Sequence, residues 1–180
     1  MTRILLVIVL AWATIAWGQS SADRPPPAFS PIVIDSLAPV LASWIEASRD
    51  AAKAQGVLPI PGPIRAALLG YVPEPILDRV RWREEASDLS LPQSVMRVGH
   101  VPAMTLDDVI VFRDRRAALE DPKLWAHELK HVMQFAEWGV DGFAKRYLSD
   151  YQAVEHEAAE FRWQFMKQAG LIPPVPSASE

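Results

Sequence analysis

The 180-residue chain contains no cysteine, so disulfide bonds contribute nothing to its stability. It also lacks a basic tract and carries a formal net charge of −4, which argues against nucleic acid or anionic membranes as partners. Its apolar run at residues 4–17 is about 14 residues long, shorter than the roughly 20 that a membrane-spanning helix needs. A packed core, with or without a bound metal, must therefore hold the fold.

The amino-terminal residues have the pattern of a cleaved export signal. Arg3 precedes the apolar run, and Ala16-Trp17-Gly18 places small residues where a signal peptidase would cut. We therefore expect a signal peptide over residues 1–18 and an exported protein, periplasmic or secreted, with no stable membrane insertion after cleavage. An uncleaved membrane anchor is the alternative.

Proline marks both ends of the expected domain. Residues 19–30 contain three consecutive prolines and are typical of an extended linker, and residues 173–180 are typical of a disordered tail. The folded part is therefore expected to be one domain over residues 31–172.

Capping signals predict three long helices within that domain. Ser36 is expected to cap a helix over residues 37–55, which Gly56 would end. Asp121-Pro122 predicts a second helix that runs to Trp138 and stops at Gly139. Asp150 is expected to cap a third helix that runs to Ala169.

Two segments have the composition of β-strands. Residues 79–83 alternate in polarity, and residues 105–112 end in a β-branched and aromatic run after a pair of aspartates that suits a turn. The expected fold class is therefore α+β, mainly helical, with a small β-sheet or hairpin.

The second helix carries the sequence His127-Glu128-Leu129-Lys130-His131. A spacing of four residues places both imidazoles on one helix face, where they can hold one zinc ion, and Glu128 lies next to that face within reach of a metal-bound water. The same helical projection places Lys130, Gln134 and Glu137 on a solvated arc. The alternative is a pair of hydrogen-bonded core histidines.

A catalytic zinc site needs a third protein ligand, and the last helix offers Glu155, Glu157 and Glu160. Glu155 lies beside the apolar stripe that contains Val154 and Ala158, whereas Glu157 and Glu160 fall on the polar face. The direction of the side chains therefore favours Glu155.

These residues also carry a resemblance to a known family. Residues 124–135, with Glu155-His156-Glu157-Ala158 further along, resemble the gluzincin metallopeptidases, and most of all the core domain associated with extracellular contractile injection systems. Val80-Arg81 and Ile110-Val111-Phe112 match further motifs of that family, and the resemblance spans roughly residues 59–166. It implies a zincin-like fold with an active-site helix and a glutamate helix.

The resemblance implies a zinc-dependent peptidase that acts on a peptide or protein substrate. His127, His131 and Glu155 would bind Zn²⁺, and Glu128 would be the general base. Tyr151 is the first candidate for the residue that stabilises the oxyanion, followed by Tyr147, His156 and His100, although a tyrosine at this spacing is also typical of a packed aromatic.

The resemblance has further implications for the substrate and the outer contacts of the metal. Residues 109–112 would be the edge strand that pairs with an extended substrate, the alternative being an ordinary internal strand. Many gluzincins have a polar residue where this chain has Ala159, so Asp150 is a candidate for orienting a histidine instead. Two other functions remain open: a non-catalytic, zinc-stabilised binding or scaffold module of an envelope or injection-system assembly, and processing of the chain by itself.

Overall fold

The computed structural model describes residues 29–85 and 101–172. The expected signal peptide, most of the linker and the carboxy-terminal tail lie outside the described residues, as does His100. Among the helices of the described ranges, none has the length and apolarity that a membrane crossing requires.

The described residues form a mainly helical α+β fold around a small sheet, as the sequence predicted at that level. The elements in chain order are α1 (Pro31–Ala54), β1 (Leu58–Pro59), α2 (Gly62–Leu68), α3 (Glu74–Arg79), β2 (Arg81–Glu84), β3 (Ala103–Leu106), β4 (Val109–Phe112), α4 (Arg115–Glu120) and α5 (Pro122–Gln168).

The sheet has the strand order β1-β2-β4-β3. β4 pairs in parallel with β2, with Trp82 opposite Ile110, and antiparallel with β3 on its other side. The expectation that residues 109–112 form an edge strand was therefore wrong, because β2 covers that side of the hairpin. Of the two strands of the hairpin, β3 is the one at the edge of the described sheet.

Helices cover both faces of the sheet. Successive side chains of a strand point to opposite sides, so each strand contributes to the packing on both faces. Met104 and Val111 join the buried cluster formed by α1, whereas Ile110 and Phe112 join the cluster that contains Trp125 of α5. The central strand is buried on both faces, which explains its continuous apolar sequence.

α5 is divided into three parts by two residues with non-helical backbone, Gly139 (φ 69°, ψ 170°) and Asp150 (φ −156°, ψ 78°). We call residues 122–138 the HExxH segment, residues 140–149 the middle segment and residues 151–168 the glutamate segment. The side chain of Asp121 accepts hydrogen bonds from two backbone N–H groups of the first turn, and Asp150 accepts one from Ala153. These caps confirm the predicted boundaries of both helices.

The first helix begins earlier than the sequence suggested. α1 starts at Pro31, with Ser30 in the N-cap position, and Ser36 lies inside the helix, where its hydroxyl donates to the carbonyl oxygen of Ile32 at 2.9 Å. The predicted cap at Ser36 was wrong because the buried stripe already begins at Ile34. The predicted end is confirmed, since Gly56 has a φ of +99°.

Ion pairs anchor the turn between β3 and β4. Asp107 has a positive φ of 58° and its carboxylate contacts Arg49 of α1 at 2.9 Å and Arg79 of α3 at 3.1 Å. Its neighbour Asp108 contacts Lys53 at 2.8 Å. The predicted turn at the two aspartates is thus confirmed, and it ties the edge strand to two helices.

We expect Asp107→Ala to lower the free energy of unfolding by about 1–2 kcal/mol. Alanine tolerates a positive φ less well than aspartate, and two partly exposed ion pairs are lost. Urea denaturation measures the change. Asp107→Asn is the matched control, since asparagine also accepts this backbone conformation, and it should lose less. Equal stability of the alanine variant and the wild type would contradict the role of the turn.

Candidate metal centre

The two histidines of the HExxH segment lie one helical turn apart and face the glutamate segment. Their ring centroids are 5.0 Å apart and the ring planes are inclined by 84°. The opposite side of the segment is anchored in the core by Trp125 and Leu129, which are fully buried. Burial of that side sets the rotation of the helix and therefore the direction of His127 and His131.

Glu155 reaches both histidines from the glutamate segment. Its Oε2 atom lies 3.4 Å from Nε2 of His127, and its Oε1 atom lies 3.6 Å from Nε2 of His131. One ligand atom from each of the three residues lies within 4.8 Å of the other two, so the group could hold a metal ion. Two imidazole nitrogens and one carboxylate oxygen form a donor set that divalent transition metals accept. The predicted convergence of the three side chains is confirmed.

The histidines and the carboxylates of the site shift one another's pKa values. Burial by itself lowers the pKa of His131, but the carboxylates of Glu155 and Glu128 outweigh it, so the pKa is raised from 6.5 to about 9. For Glu155, burial acts to raise the pKa, and the neighbouring histidines His131 and His127 lower it well below its usual value. Without a metal the site is therefore an imidazolium–carboxylate pair, and a bound cation would take the place of the proton.

Gln134 holds His131 from the outer side of the ring. Its Oε1 atom lies 2.8 Å from Nδ1 of His131, and the residue is 0% exposed. The predicted position of Gln134 on a solvated arc was wrong, because the glutamate segment packs over it: the Gln134 Nε2 atom donates to the carbonyl oxygen of Val154 at 3.2 Å. The carboxylate of Asp150 caps the glutamate segment at Ala153, so it is Gln134, and not Asp150, that contacts this histidine.

His127 has no equivalent contact among the described residues. Its Nδ1 atom is buried and makes no hydrogen bond within residues 29–85 and 101–172. Ala159, the position at which many gluzincins have a polar residue, has no side-chain group that could accept one. Within the described residues, the ring of His131 is therefore held by a hydrogen bond at Nδ1, whereas the ring of His127 is not.

Glu128 is 4% exposed and lies beside the sheet. Its Oε2 atom accepts a hydrogen bond of 2.7 Å from the hydroxyl of Thr105 on β3. The sequence contained no signal for this contact, because Thr105 is distant along the chain and only the register of the hairpin directs its side chain towards α5. The edge strand and the candidate general base are thus in direct contact.

The tyrosines differ in their surroundings. The hydroxyl of Tyr147 lies 3.5 Å from Oε1 of Glu155, and burial, followed by the charge of Glu155, raises the Tyr147 pKa well above its usual value. Tyr151 packs against the core cluster of α1, and its hydroxyl accepts a hydrogen bond of 3.5 Å from Gln152. His156 is exposed. Of the tyrosines proposed from the sequence, Tyr147 is the one that donates to a candidate ligand.

The model of one protein family, the eCIS core domain, matches residues 59–139. The chain therefore resembles that domain from β1 to the end of the HExxH segment, which includes both histidines and Glu128. No curated protein and no solved structure matches the chain. Glu155 lies beyond the matched residues, so the match does not bear on its role as a candidate ligand.

We expect the wild-type chain to bind one zinc ion, and zinc at about 100 times its Kd to raise the free energy of unfolding by about 2.7 kcal/mol. Replacing a ligand, as in His127→Ala or Glu155→Ala, should weaken zinc binding by more than about 100-fold. Loss of an outer hydrogen-bond partner of a ligand costs up to about that much, and loss of the ligand itself should cost more. Competition with a chromogenic chelator measures the Kd. His156→Ala is the control, and an equal loss in that variant would contradict the assignment.

The raised pKa of His131 predicts how stability depends on pH. A group whose pKa rises on folding stabilises the folded state fully below its unfolded value of 6.5, and this contribution disappears as the pH passes the folded value of about 9. Metal-free protein should therefore lose stability across this window, as followed by thermal unfolding in the presence of a chelator. The slope should flatten in His131→Gln and persist in His156→Gln. A wild-type profile without this slope would contradict the proposed ion pair.

Proposed function

We propose that this chain is an exported, zinc-dependent peptidase of the gluzincin type. The observation that carries the proposal is the position of Glu128, a buried carboxylate next to a site with two histidines and one glutamate. A purely structural zinc site is satisfied by its ligands and does not need a further carboxylate next to the helix face that carries the histidines. The spacing of the histidines and the resemblance to gluzincins favour zinc over other divalent metals.

His127, His131 and Glu155 would hold the metal. Zinc bound there would act as a Lewis acid and lower the pKa of a coordinated water towards ~7. Glu128 accepts the proton of the attacking water and passes it to the leaving amine. The hydroxyl of Thr105 donates a hydrogen bond to the Oε2 atom of Glu128 and thereby holds the carboxylate in place.

The position of β3 supports an extended peptide as the substrate, because among the described residues no further strand pairs with its outer side. The backbone N–H of Arg113 donates to the carbonyl oxygen of Pro102 at 2.9 Å, so the alternation of an antiparallel pair directs the peptide groups of Met104 and Leu106 towards β4. Those of Ala103 and Thr105 point away from β4. A substrate that pairs with this edge would pass beside Glu128, because Thr105 of the edge strand contacts that carboxylate.

A non-catalytic, zinc-stabilised scaffold is the second candidate. The observation that favours it is that Nδ1 of His127 has no hydrogen-bond partner in the part of the chain that the structure describes, since catalytic metal ligands usually have an outer partner. The match to the eCIS core domain is compatible with a place in an injection-system assembly.

We expect Glu128→Gln to bind zinc with unchanged stoichiometry and to lose about 10²–10⁴-fold in peptide cleavage, because general-base catalysis contributes that much. A peptide library analysed by mass spectrometry measures cleavage, and the same spectra reveal processing of the chain itself. Glu137→Gln is the matched control, since Glu137 is an exposed carboxylate of the same helix segment. Zinc at one per chain with equally negligible turnover in all variants would refute the peptidase and support the scaffold.

A further inference from the structure

Gln134 makes three polar contacts, which involve both its amide oxygen and its NH₂ group. Its Oε1 atom faces Nδ1 of His131 at 2.8 Å. Its Nε2 atom donates to the carbonyl oxygen of Val154 at 3.2 Å and to Oε2 of Glu157 at 3.0 Å. The residue is fully buried, so no water competes for these bonds.

The two contacts of Nε2 determine which way round the carboxamide lies. A backbone carbonyl can only accept a hydrogen bond, and so can an ionised carboxylate, so the NH₂ group must face Val154 and Glu157. The oxygen must then face His131, whose Nδ1 atom has to carry a hydrogen. Nε2 of the neutral ring is consequently the atom with the lone pair, and it points towards Glu155, from which it is 3.6 Å away.

The same carboxamide joins two parts of α5. Val154 and Glu157 belong to the glutamate segment and flank Glu155 in the sequence, whereas Gln134 belongs to the HExxH segment. Lys130 adds an ion pair between the same two segments, since its Nζ atom lies 3.2 Å from Oε2 of Glu157. Glu157, which is not a candidate ligand, therefore has a defined role as an acceptor.

We propose that Gln134 is the positioning residue of the metal centre, which sets the tautomer of His131 and at the same time docks the segment that carries Glu155. One buried side chain thus aligns ligands from the HExxH segment and from the glutamate segment. The inference rests on the metal binding contained in the proposed function, but it does not depend on peptide hydrolysis.

Two substitutions separate the two contributions. Gln134→Met removes all three hydrogen bonds with little change in volume. Gln134→Glu retains an acceptor for His131 but places a carboxylate opposite Glu157 and the carbonyl oxygen of Val154. Gln164→Met is the matched control, because Gln164 is an exposed glutamine of the same helix whose amide contacts Glu160 one turn away.

We expect Gln134→Met to weaken zinc binding about 10- to 100-fold, the usual effect of losing the outer partner of a metal-bound histidine. Gln134→Glu should keep the Nδ1–H tautomer of His131 in the zinc-loaded protein, as seen by ¹⁵N-resolved NMR of the imidazole, but should lower the melting temperature of the metal-free protein. Adding Glu157→Gln to that variant supplies an N–H donor from the other side and should recover part of the loss. Gln164→Met should match the wild type in every measurement.

Unchanged zinc affinity in Gln134→Met would overturn the inference, and so would metal binding through Nδ1 of His131. Zinc binding and peptide cleavage are measured separately, so the two proposals can fail independently. Loss of affinity in Gln134→Met without peptide cleavage by the wild type refutes the peptidase and leaves the positioning role intact. Normal affinity in Gln134→Met with intact cleavage refutes the positioning role alone.

Discussion

The electrostatic contact between Glu155 and the two histidines is the interaction on which the site depends. Two imidazoles and a carboxylate are largely buried together, and each is tolerated there because the others compensate for its loss of water. The contact exists only because the backbone leaves the helical conformation at Gly139 and Asp150, which returns the glutamate segment to the HExxH segment. A continuous straight helix would carry these residues far apart.

The sheet connects this site to the turn between β3 and β4. The turn at Asp107 is held by arginines from two helices, and the hairpin that it closes presents Thr105 to Glu128. The ion pairs at the turn, the edge strand and the candidate base therefore form one continuous set of contacts. A change at the turn would alter the position of Thr105 beside Glu128, because the four residues of β3 keep a fixed register with β4.

The corrections to the sequence-based expectations share a physical cause. β4 became an internal strand because β2, which lies more than twenty residues earlier in the chain, pairs with it in parallel. Gln134 became a core residue because the glutamate segment covers the helix face that a projection of one helix leaves in solvent. In each case the expectation considered one element, and the result came from a second element packed against it.

Features that depend on neighbours a few residues apart could be predicted from the sequence. The caps at Asp121 and Asp150, the break at Gly139, the histidine pair and the direction of Glu155 all follow from local hydrogen bonding and from the helical period. Three features became visible only in the folded chain: the position of β3 at the edge of the described sheet, the contact of Thr105 with Glu128, and the contact of Gln134 with His131. These contacts join residues that are distant in the chain, and they form where separate elements bury surface against one another, which no local pattern specifies.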